Sequence, residues 1–133
     1  MNEEAFVHYK IGITVLDDQH WELFKILNDV NAAKAAGETE RSFALLQEFF
    51  RLLDIHQAVE EQMMRESKYP FADNHIVNHP ENTGTVRKIC ESLKGKQIGG
   101  NYCYIPDLIG LIGDHIDWAD REFANWLESQ NKI

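Results

Sequence analysis

Five of the six histidines fall into a spaced series with one glutamate and one aspartate: His20, then His56-x-x-x-Glu60, then His75-x-x-x-His79, then His115-x-x-x-x-Asp120. Imidazole nitrogen and carboxylate oxygen without thiolate suit iron, zinc, copper or manganese, and carboxylates can bridge a metal pair. Seven donors exceed what one ion takes, so the series reads as a ligand set for two. Residues four apart on an α-helix differ by about 40° and sit one turn above each other, so His56/Glu60 and His75/His79 can each grip a common centre. His115 and Asp120 lie about 140° apart around a regular helix, which suits a longer reach with Asp120 spanning two metals. A purely structural role would leave five imidazoles and two carboxylates in an apolar core without a partner cation, at prohibitive cost.

Donors so spaced need long helices, and the apolar pattern supplies four. The first is expected from about Asp17 to Ala36, with Leu16, His20, Leu23, Phe24 and Leu27 on one stripe and Gly37 closing it. The second, about Glu40 to Ser67, carries Phe43, Leu46, Phe49, Leu53, His56, Glu60 and Met63 or Met64. Its ligands continue the apolar stripe, which points the metal into the bundle core. Tyr69-Pro70 breaks the chain before a third helix, about Ala72 to Lys94, presenting His75, His79, Val86, Ile89 and Leu93. Pro80, directly after His79, predicts a kink there. Gly95 to Ile105 is the obvious loop. Pro106 then opens a fourth helix with Leu108, Leu111, Ile112, His115, Ile116, Asp120 and Phe123 on its inner side. Short connections between long helices favour antiparallel neighbours. The expectation is an all-α, up-down-up-down antiparallel four-helix bundle over about 15–129, preceded by an amino-terminal arm over about 1–14.

The 133 residues are one domain by length and bury a real core. An apolar fraction of 44%, with 11% aromatic, excludes disorder, and no apolar run approaches the roughly 18 residues of a membrane span. A net charge of −9 makes nucleic acid and anionic lipid poor partners. The segment MNEEAFVHYK has acids where a signal peptide has a basic region, and it lacks an apolar stretch, so a cytoplasmic location is expected. Cys90 and Cys103 have no CxxC spacing and read as ordinary packing or surface thiols. His8 reads as an arm residue, the three tryptophans as packing or interface groups, and Glu61 as an outer-shell or solvated acid.

The sequence resembles the hemerythrins, specifically the bacterial ones. The matching residues are Val15-Leu16-Asp17-Asp18-Gln19-His20 with Leu23-Phe24, then HQAVEEQM from His56 to Met63, then Tyr69-Pro70 ahead of His75-x-x-x-His79, then His115-Ile116 to Asp120. They span about Gly12 to Leu127 and fill all seven ligand positions in order. The resemblance implies a non-heme di-iron site, oxo- or hydroxo-bridged, that binds dioxygen reversibly. By carry-over, His75, His79 and His115 hold one iron, His20 and His56 hold the other, and Glu60 and Asp120 bridge. Three nitrogens and three bridging oxygens complete six positions on the first iron, and two plus three leave an open one on the second.

A reversible carrier needs a dry pocket at that open position. Leu23 and Ile116 match apolar pocket positions of the family. Gln57 and Leu111 depart from it, standing where phenylalanine and tryptophan are common. Gln57 brings an amide donor and acceptor near the expected oxygen site, where it would stabilise the bound ligand or admit water and hasten autoxidation. The leading expectation is therefore a dioxygen carrier, store or delivery protein, not an enzyme. The alternatives are an oxygen or redox sensor acting on a partner chain, and a di-iron enzyme of peroxidase or nitric oxide reductase type. The length leaves no room for a fused signalling domain, and the nitrogen-rich ligand set differs from the carboxylate-rich sites of oxygen-activating bundles.

Overall fold

The computed structural model describes residues 2–76, 84 and 105–131. Among them every regular element is helical. Of the third predicted helix the structure describes residues 72–76 and Gly84, both helical. The rest of it lies outside the described residues, with His79, Pro80, both cysteines and most of the Gly95–Ile105 stretch.

Helix α1, Glu3–Phe6, and a 3₁₀ turn, Val7–Tyr9, give the arm more structure than the sequence pattern foretold. Asn2 caps α1 by accepting the Ala5 N–H at 2.8 Å. The arm is docked: Phe6 is buried in the core, and Tyr9 lies over Gly113, where an added Cβ would come 2.9 Å from the tyrosine hydroxyl. Arg121 ties it down further by donating to the carbonyls of His8 at 2.9 Å and Lys10 at 3.2 Å.

Helix α2, Thr14–Ala35, begins three residues before the expected Asp17. Asp17 is not the residue that opens the helix. From within the first turn its carboxylate accepts the N–H groups of Ile11 at 2.8 Å and Gly12 at 3.2 Å, pinning the preceding bend, where Gly12 has φ +91°. The far end closes as expected. Gly37 takes φ +74° while its N–H reaches Lys34 and that of Glu38 reaches Ala33, the paired bonds of a Schellman motif.

Helix α3, Thr39–Ser67, has 29 residues, about 44 Å at 1.5 Å each. It ends in the same motif, with Lys68 N–H on Arg65 and Tyr69 N–H on Met64, but here the left-handed position is held by Lys68 at φ 62°. The last predicted helix is interrupted. Helix α4, Ile105–His115, passes into a π-helical turn, Ile116–Asp120, and resumes as α5, Arg121–Ser129.

Among the described residues the buried apolar side chains form two clusters. One joins Leu23, Phe24 and Leu27 of α2 to Phe49 and Leu53 of α3, with Leu108, Ile112 and Ile116. The other joins Leu16 to Met64, Tyr69, Ala72, Phe123 and Leu127. Along α2, His20 falls between Leu16 and Leu23. Along α3, His56 and Glu60 fall between Leu53 and Met64, and Asp120 falls between Ile116 and Phe123. A polar layer thus separates two apolar halves. No helix among the described residues is long and apolar enough to cross a membrane.

Candidate metal centre

The polar layer contains six of the seven predicted donors: His20, His56, Glu60, His75, His115 and Asp120. The seventh, His79, lies outside the described residues. Each reaches the layer for a local reason. His56 and Glu60 are one α-helical turn apart, and the His56 Nε2 lies 3.2 Å from a Glu60 oxygen. His75 follows the Tyr69-Pro70 break and pairs with the other Glu60 oxygen.

His115 and Asp120 come together through the π-turn. An i→i+5 turn makes residues five apart neighbours, as an α-turn does for residues four apart, so the His115 Nε2 sits 3.1 Å from an Asp120 oxygen. This corrects the long reach expected from regular helical geometry.

The donors sort into two sets, His20, His56, Glu60 and Asp120 in one and Glu60, His75, His115 and Asp120 in the other. Within each set one ligand atom per residue lies within 4.8 Å of the rest. Both carboxylates belong to both sets. The imidazoles pair the same way, edge to face, with centroids 4.6 Å apart for His20/His56 and 5.1 Å for His75/His115.

The electrostatics ask for positive charge. Both Asp120 oxygens are buried 3.0–3.2 Å from imidazole nitrogens, yet neither has a hydrogen-bond partner among the described residues. Burial pushes the Asp120 carboxyl up, but pairing with His115, His20 and His75 holds it well below the usual carboxylate range. Burial likewise pushes His75 down, and pairing with Asp120 and Glu60 outweighs it, raising the imidazole to about 9. Without metal, a proton on a buried ring supplies the cation. Two or more metal charges fit the same place and the same donors.

Beside the layer is a cavity of about 20 Å³, room for one water-sized molecule. It is lined by His20, His56, His115 and Asp120 and by Leu23, Leu53, Gln57, Leu111, Ile112 and Ile116. All four residues expected at an oxygen pocket, Leu23, Gln57, Leu111 and Ile116, are on this wall. Leu53 and Ile112 were not foreseen there, although each lies three residues before a histidine of the site and so shares its helix face.

The family model for the hemerythrin HHE cation-binding domain matches residues 11–129. The chain belongs to the hemerythrin family. It is 32% identical over 65 residues to a bacteriohemerythrin of Stenotrophomonas maltophilia, covering 49% of this chain and 42% of that protein. It is 30% identical over 81 residues to a myohemerythrin of Theromyzon tessulatum, covering 61% of this chain and 62% of that one. The matched stretches thus span less than two thirds of either relative. No solved structure gives a significant match. Cation binding by a hemerythrin domain accords with a layer that is short of positive charge.

Proposed function

We propose that this hemerythrin domain holds two iron ions in the polar layer and binds dioxygen reversibly in the adjoining cavity, as a carrier or store. The observation that carries the reading is the sharing of Glu60 and Asp120 between two donor sets, the arrangement two bridged ions require. His20 and His56 would serve one ion, and His75 and His115, with His79, the other. Iron held by these residues would supply the redox chemistry, two electrons lent to dioxygen and recovered on its release.

The chain's own part is to hold and to exclude. Leu23, Leu53, Leu111, Ile112 and Ile116 present hydrocarbon to the cavity and keep solvent and anions from the His20/His56 side. Apart from the metal donors, Gln57 is the one polar group among the described residues lining it. An amide is a poor acid and a poor base at neutral pH, so the cavity has hydrogen-bonding capacity without a group suited to proton transfer. That favours binding over turnover.

The test is an optical spectrum of iron-loaded protein, reduced without oxygen, exposed to air and then degassed, alongside an iron assay. Two irons per chain and a visible band that appears in air and vanishes on degassing are expected. Colour that persists after degassing points to a redox enzyme or sensor, and no colour points to another metal.

A further inference from the structure

Gln19 stands immediately before His20 on α2, half-buried, and its side chain crosses to α3. Its Oε1 lies 2.7 Å from Nδ1 of His56. An amide oxygen can only accept, so the bond requires a proton on Nδ1 of His56, and in the neutral ring that leaves the lone pair on Nε2. Nε2 is the atom that faces the layer, 3.2 Å from Glu60 and 3.2 Å from Nε2 of His20. Nδ1 of His20, in contrast, is buried with no hydrogen-bond partner among the described residues. The two rings of this donor set therefore differ at Nδ1: His56 has a directed bond there and His20 has none among the described residues.

We propose that Gln19 is the positioning residue for His56, selecting the tautomer and ring orientation in which Nε2 can bind metal. Helix α2 then sets both nitrogen donors of one metal position, His20 directly and His56 through the preceding residue. The inference rests on the reading of His56 as a ligand. A carboxylate at position 19 would keep the acceptor and draw the Nδ1 proton harder, making the ring a stronger donor.

The test uses the full chain as wild type, Gln19→Leu and Gln19→Glu. Each is titrated with Co(II) for stepwise affinities, and the His56 ring nitrogens are followed by ¹⁵N NMR in the metal-free and zinc-loaded forms. Wild type should take two ions and show a protonated Nδ1 on His56. Gln19→Leu should weaken one of the two ions by about 10- to 100-fold, leave the other, and lose the fixed tautomer. Gln19→Glu should restore both. The proposal is overturned if Gln19→Leu matches wild type, if it weakens both ions together with the metal-free melting temperature, or if Glu fails to rescue. If wild type itself does not take two ions, the functional reading fails and the inference falls with it, a result seen before any variant is made.

Discussion

Gln57 sets the sharpest choice for a single side chain. It faces a cavity otherwise lined by hydrocarbon and by His20, His56, His115 and Asp120, so Gln57→Leu removes a hydrogen-bonding group while roughly conserving volume. The autoxidation rate of the oxygenated protein should then change severalfold, falling if Gln57 admits water and rising if it stabilises the bound ligand; an unchanged rate would remove it from the pocket's function. His75 gives a pH dependence. Its folded value, raised to about 9 from 6.5, means the protonated ring stabilises the metal-free fold fully below pH 6.5 and loses that contribution as pH rises through 9. Asp120, shifted the other way, loses its contribution on acidification. Metal-free protein should therefore melt at lower temperature at pH 9 than at pH 6.5, a decline that bound metal abolishes. That His75 and Asp120 come together was legible from spacing along helices, whereas Gln57 was singled out by the family resemblance. Gln19 was not: its neighbour in the chain is His20, but its partner lies 37 positions away on another helix.

Helix interiors were readable from the sequence for the same reason, and their interruptions were not. His115-x-x-x-x-Asp120 carries one residue more than His56-x-x-x-Glu60, yet each motif brings an imidazole within 3.1–3.2 Å of a carboxylate oxygen. The π-turn absorbs the extra residue. Spacing alone exposed the mismatch without saying whether reach or backbone would resolve it. Helix α2 starts three residues ahead of the expected Asp17, whose carboxylate anchors the bend before the helix. At the end of α3 the sequence offers no glycine where the backbone demands one. Lys68 holds a left-handed conformation that costs a side-chain-bearing residue roughly 1–2 kcal/mol, partly offset by glycine's greater freedom when unfolded. Lys68→Gly should therefore stabilise the protein by about 0.5–1 kcal/mol, read as a melting temperature higher by a few degrees. A fall would mean that Lys68 makes a compensating contact.

Among the described residues, two apolar clusters flank a charged layer whose buried anionic oxygens call for a cation, either a proton on an imidazole or a metal ion. Metal bound to the folded state alone raises stability by mass action. The three tryptophans have different surroundings. Trp21 packs against Phe6 beside the first cluster, with tilted rings and centroids 5.1 Å apart, and Trp126 meets Tyr69 at 5.3 Å beside the second. Trp118, 80% exposed, rides on the π-turn between them. The chain therefore carries a separate fluorescent address for each storey of its core. Variants that keep only Trp21 or only Trp126 should report a shared unfolding midpoint when metal is bound and two different midpoints when it is stripped. Coincident curves in the stripped protein would show that the halves cohere without the ions. In the variant that keeps Trp118 alone, emission starts red-shifted in the folded state, so its changes on loading follow the ligand turn itself rather than either half.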